Sequence, residues 1–204
     1  MAILRYPLGG DVSGAIRAIA AGGVSVLEVT VDTPGAWQAI EEAAGRDGLV
    51  IGGGTVTEVS QVQRLASLGA RFIVSPGFDA DVVKAALSLG LDTLPGVATA
   101  TEILAARRAG SGLFKLFPAG SLGSRYLAEL RGPFAKECFV PTGGISIDGM
   151  AEWLYAGAIA VALGSDLAGR EAPRTSADAA QLTARARLAI AAASSVLENR
   201  VGTA

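Results

Sequence analysis

Lysine is rare in this sequence, occurring only at Lys84, Lys115 and Lys136. Lys115 lies in the run Leu113-Phe114-Lys115-Leu116-Phe117, where an ammonium among apolar neighbours is costly unless paired or neutral. Desolvation lowers a lysine's pKa, and a neutral amine attacks carbonyl carbon. Glu28, in Val26-Leu27-Glu28-Val29-Thr30, poses the same problem with the opposite charge. Pointing into one interior, the two would form an amine beside an acid–base group, their pKa values displaced. Pattern alone leaves two other readings open: a lysine snorkelling past a helix from an outer face, and a buried structural ion pair.

Two glycine-bearing loops, Thr142-Gly143-Gly144-Ile145-Ser146 and Gly164-Ser165-Asp166, each follow an apolar run. Glycine lets backbone N–H groups approach a phosphate closely, although both loops also read as ordinary tight turns. Thr55, Pro76 and Phe117 close further apolar runs. Arg5, after Ile3-Leu4, is either a carboxylate clamp or an N-terminal surface charge. Cys138 reads as a small core residue, and Trp37 and Trp153 as packing or interface residues on helices.

Composition removes much other chemistry. The 204 residues include no histidine, which excludes histidine triads, histidine-ligated zinc and imidazole acid–base catalysis. One cysteine excludes an internal disulfide and a paired redox motif. No cofactor or metal is expected. Seventeen basic and 19 acidic side chains give a net charge of −2, with no basic patch to suggest nucleic acid. Half the residues are apolar, which excludes disorder, yet no apolar run reaches the ~18 residues of a membrane span. Met1–Arg5 is too short for a signal peptide, so the expected location is the cytoplasm.

Glycines mark the elements that must position these residues. Gly23, Gly48, Gly69, Gly90, Gly110, Gly132 and Gly157 are spaced 20 to 25 residues apart, each between an amphipathic stretch and an apolar run. Glycine just past a helix end supplies the left-handed turn that stops it. The spacing predicts strands at Ile3–Tyr6, Val24–Val31, Leu49–Val56, Arg71–Pro76, Asp92–Ala98, Leu113–Ala119, Cys138–Ile145 and Ala158–Ser165. Helices are predicted over Asp11–Ala21, Glu58–Leu68, Asp79–Leu89, Thr101–Ala109 and Ala177–Leu197. Strands alternating with helices make a parallel sheet, and eight such units make a (β/α)8 TIM barrel, here one α/β domain over residues 1–204. An open doubly wound sheet lacks its glycine fingerprint after the first strand. Barrel sites lie at the C-terminal strand ends, where the residues singled out above fall.

The chain resembles the KDPG/KHG aldolase family: the 2-keto-3-deoxy-6-phosphogluconate, 4-hydroxy-2-oxoglutarate and 2-keto-3-deoxy-6-phosphogalactonate aldolases. The resemblance runs through Val26–Thr30, Ile51–Val56, Ile73–Gly77, Leu94–Thr99, Phe114–Ala119, Gly132–Phe134 and Val140–Ile145. It implies a homotrimeric, metal-free class I aldolase acting on a small keto acid, with Lys115 as Schiff-base lysine and Glu28 as acid–base residue. It implies Thr55, Pro76 and Phe117 at the pyruvate end, and Thr142, Gly143, Gly144, Gly164 and Ser165 around a distal phosphate. The reaction implied is reversible cleavage of a 2-keto-3-deoxy-6-phospho sugar acid to pyruvate and glyceraldehyde 3-phosphate. Cleavage of 4-hydroxy-2-oxoglutarate to pyruvate and glyoxylate is the alternative.

Two departures stand out. Many members carry arginine after the glutamate strand, where this chain has Asp32 in Thr30-Val31-Asp32-Thr33. Leu4-Arg5 matches members whose carboxylate arginine lies on strand one, and Ala98–Glu102 matches the phosphogalactonate branch. The chain also begins almost at strand one, where many members have a helix plugging the barrel floor, so either an open floor or a shortened N-terminus is expected. Two other function classes compete: a phosphate-binding isomerase or synthase without a Schiff base, and a non-catalytic trimeric scaffold. A scaffold has no need of Lys115 or Glu28.

Overall fold

A computed structural model describes residues 1–201; the last three residues of the expected 1–204 domain lie outside the described residues. β1 (Ala2–Leu4), β2 (Val26–Thr30), β3 (Val50–Gly54), β4 (Phe72–Val74) and β5 (Asp92–Leu94) form a parallel ladder in chain order. β6 (Gly96–Val97), β7 (Leu113–Leu116) and β8 (Cys138–Pro141) form a second.

Two expected strands are corrected. The Asp92–Ala98 run is divided at Pro95, which has no N–H for a ladder. Its carbonyl still accepts from the Lys115 N–H at 3.0 Å, so β5 and β6 act as one stave. Ala158–Ser165 is not a strand; only single bridges join Ala162 to Thr142 and Leu163 to Ala2. The left-handed turn at Gly157 precedes it and a helix starts at Ser165, leaving too short a run for a ladder. Those bridges nonetheless link β8 to β1: Ala162 N–H donates to Pro141 O at 3.0 Å, and Ile3 N–H to Leu163 O at 2.8 Å. The architecture is a (β/α)8 barrel joined by Pro95 and by these bridges.

Side-chain caps set the helix starts one residue or so from their expected places. Asp11 accepts from Gly14 N–H at 2.7 Å and opens α1 (Val12–Ala21). α2 (Ala36–Ala43) and α3 (Val59–Ser67) follow, the latter with Gln61 accepting from Glu58 N–H at 3.2 Å. Asp79 caps α4 (Ala80–Ser88), and Thr99 with Glu102 forms a reciprocal capping box on α5 (Ala100–Arg108). α6 (Ala119–Leu122), α7 (Ser124–Leu130), α8 (Met150–Tyr155), α9 (Ser165–Ala168) and α10 (Ser176–Val201) complete the chain. Among the described residues no helix is long and apolar enough to cross a membrane. Trp37 on α2 lies under the Arg64 guanidinium, and Trp153 is buried on α8. Cys138 is half-buried, a correction explained by its place at the first residue of β8.

Both faces of the strands are covered, and alternate residues belong to different cores. Leu27 and Val29 face the helices in the outer core. Phe72, Val74, Leu94, Val140 and Ala162 fill the barrel, with Met1, Ile3, Val26 and Leu113 packed against them. Large side chains from the strands occupy the interior below the site, while at the strand starts Met1, Val26 and Leu113 are half-buried and Val50 is exposed. Glycine on β3 makes the room. A Cβ on Gly52 would lie 2.6 Å from the Phe72 ring, so the ring fills space that any other residue would take.

Candidate active site

The residues nominated from sequence come to one cavity of about 730 Å³, at the C-terminal ends of the strands. Glu28 and Lys115 enter it from opposite ladders. In register, Ile3, Glu28, Gly52 and Phe72 face one another across β1 to β4, and Gly96, Lys115 and Val140 across β6 to β8. Ile3, Phe72 and Val140 all pack inside the barrel, so Glu28 and Lys115 are on its inner face. The outward, snorkelling reading of Lys115 is thereby removed.

Glu28 is 1% exposed and its Oε2 has no hydrogen-bond partner. Burial pushes its carboxyl above the ordinary carboxylate range, while the charges of Lys115 and Arg5 pull it back less strongly. Lys115 is 6% exposed, with Nζ 5.0 Å from the centroid of the Phe117 ring. Burial lowers its pKa; the Glu28 charge opposes this and Arg5 adds to it. Each group is driven toward its neutral form: an amine able to attack a carbonyl and a carboxyl able to give up a proton.

The neighbours of this pair are held closely. Gly96 lies beside Lys115, and a Cβ there would sit 2.2 Å from the Pro76 carbonyl oxygen, so Pro76 closes over that strand. Thr55 follows β3 in a left-handed conformation, φ 60°, which a β-branched residue rarely adopts. Its Oγ1 accepts from Arg5 Nη2 at 2.5 Å. Arg5 Nη1 donates to Asp32, an ion pair that sequence reading missed by treating Asp32 only as a lost cation. No local signal marks the pair, because it depends on β1 lying beside β2.

The opposite wall is made of backbone. Gly143 and Gly144 have φ of 91° and 73°, a double left-handed turn open to few other residues. Ala119 and Gly120 N–H groups hold the Thr142 and Gly143 carbonyls at 2.9 and 2.8 Å. Among the described residues, no intramolecular acceptor takes the N–H of Gly143, Gly144 or Gly164. Gly164 and Ser165 bring α9 to the same cavity, and buried Tyr6 anchors that helix by donating its hydroxyl to Ala168 O at 2.9 Å. Asp166, named in the second glycine loop, also reaches the cavity, as does Arg170, which was not singled out from sequence and lies just past the end of α9.

A parallel barrel carrying a desolvated lysine and a neutral-leaning carboxyl at its mouth has the layout of an aldolase that works through an imine. Residues 1–185 match the family model described as KDPG and KHG aldolase, and the chain belongs to that family, an aldolase-type carbon–carbon lyase. It is 34% identical over 197 residues to the 2-dehydro-3-deoxy-6-phosphogalactonate aldolase of Escherichia coli K12, covering 93% of this chain and 95% of that one. A native KDPGal structure superposes with a TM-score of 0.87 at 28% identity, over 97% of this chain and 95% of the other. The KDPG aldolase of Legionella pneumophila, with pyruvate captured as a covalent carbinolamine, gives a TM-score of 0.80 at 30% identity, over 91% and 92% of the two chains.

Proposed function

We propose that this chain is a class I aldolase that reversibly cleaves a 2-keto-3-deoxy-6-phospho sugar acid, the gluconate or its galactonate epimer, to pyruvate and glyceraldehyde 3-phosphate. The observation that carries the reading is the convergence of buried Lys115 and buried Glu28 on one cavity. Neutral Lys115 attacks C2 of the keto acid, and Glu28 hands protons through carbinolamine formation and loss of water. The protonated imine then draws electrons from the C3–C4 bond as Glu28 takes the C4 hydroxyl proton. The aldehyde leaves, the enamine is protonated at C3, and water releases pyruvate from Lys115.

Arg5 takes the substrate carboxylate, while Thr55, Pro76 and Phe117 shape the pyruvate end. The unengaged N–H groups of Gly143, Gly144 and Gly164, with Thr142 and Ser165, receive the distal phosphate. No metal or cofactor enters these steps. The working unit is one domain assembled as a homotrimer in the cytoplasm; exposed Tyr155 and Ile159 offer apolar surface for another copy.

Pyruvate release from the two phosphorylated epimers and from 4-hydroxy-2-oxoglutarate, followed with a lactate dehydrogenase couple, tests this. The phosphorylated acids should be preferred. Preference for 4-hydroxy-2-oxoglutarate would move the function to the alternative aldolase, and turnover of none would refute it.

A further inference from the structure

Arg5, Asp32 and Thr55 follow the ends of three neighbouring strands, β1, β2 and β3. The guanidinium of Arg5 spans all three, giving Nη1 to Asp32 and Nη2 to Thr55. The backbone beneath is fixed. Thr33, next to Asp32, is buried; its Oγ1 accepts from Tyr6 N–H at 3.1 Å and lies 3.0 Å from Thr30 Oγ1. Tyr6 is the residue after Arg5 and is itself fully buried. Asp32 and Arg5 therefore each adjoin a buried anchor, and the anchors are bonded to one another. The Arg5 side chain is 48% exposed and that of Asp32 51%, so their ion pair adds little to overall stability.

We propose that Asp32 is a positioning residue for the carboxylate clamp: it fixes the plane of the Arg5 guanidinium across the barrel mouth and leaves the other N–H groups free for substrate. This rests on the aldolase reading above. A guanidinium carries five N–H donors in a rigid fork, so one bond to Asp32 and one to Thr55 leave enough for a carboxylate. A long, half-exposed arginine otherwise loses rotamer freedom when substrate binds, and prior immobilisation removes that cost from the binding step.

Steady-state cleavage kinetics on unmodified protein, Asp32→Ala, Asp32→Asn, Arg5→Ala and the Asp32→Ala/Arg5→Ala double variant test the proposal. Asp32→Ala should raise KM about tenfold with kcat within about twofold. Asp32→Asn keeps an acceptor and should raise KM less than about threefold. In the Arg5→Ala background, loss of Asp32 should change KM no further, because its only route to substrate is gone. An unchanged or lower KM in Asp32→Ala, or an equal proportional loss with and without Arg5, overturns the proposal. Borohydride trapping with pyruvate on unmodified protein separates the two levels. An adduct with no effect of Asp32→Ala overturns the positioning role alone; no adduct overturns the aldolase reading and this role together.

Discussion

Gly54 and Glu28 share one volume inside the barrel: a Cβ on Gly54 would lie 1.9 Å from Glu28 Oε1 and 2.5 Å from its carboxyl carbon. Glycine on β3 is therefore the reason the carboxyl can rest where it does. Gly54→Ala should fold, since the clash is with a side chain and not with backbone. It should lower kcat by about 10²-fold or more, the usual worth of a positioned acid–base group. A circular-dichroism melt beside the kinetics checks this; near-normal kcat in a folded variant would count against the role given to Glu28.

The buried pair makes stability depend on pH in opposite directions. Burial raises the Glu28 pKa, so its stabilising contribution is full below the ordinary carboxylate range and is lost as pH rises through the raised folded value. Burial lowers the Lys115 pKa, so its contribution is full above the ordinary value of 10.5 and is lost as pH falls through the lowered folded value. Glu28→Gln should thus raise Tm at pH 8 and lose that advantage by pH 5. Lys115→Met should raise Tm at pH 6 and lose its advantage toward pH 10. For a chain of this size each kcal/mol recovered appears as about 2–4 °C. Scanning calorimetry across pH reads both slopes, and pH-independent differences would contradict the burial account.

The distal wall should discriminate by charge. Gly144 has φ 73°, and a Cβ there would meet Gly120 Cα at 3.4 Å, away from the Phe117 ring. Gly144→Ala should displace the turn and reduce kcat/KM for phosphorylated substrate by roughly 10–100-fold, the worth of one or two charge-assisted hydrogen bonds. The unphosphorylated acid should be much less affected. Equal losses on both substrates would show that the loop does not receive the phosphate.

Much of this was readable before any coordinates, for local physical reasons. A single lysine between Phe114 and Leu116 is an anomaly that burial must resolve, and strand alternation fixed which residues share its face. Six of the seven spacer glycines adopt φ from 74° to 106°, as helix-stopping positions require. Gly132 does not, and it lies within a longer turn. What was not readable depends on partners distant in sequence. Ala158–Ser165 has strand composition but only single bridges, because neighbouring turns curtail it. Asp32 looked like a missing cation, and only the approach of β1 to β2 shows it holding one. The space that Gly54 leaves for Glu28 is likewise a property of two strands together.

The chemistry depends on the Lys115 amine forming an imine with the keto acid. Incubating the protein with pyruvate and borohydride, then mapping the modified peptide by mass spectrometry, tests it most directly. One reduced pyruvate adduct is expected, on Lys115, absent from Lys115→Ala. An unmodified Lys115, or an adduct that persists in Lys115→Ala, would contradict it.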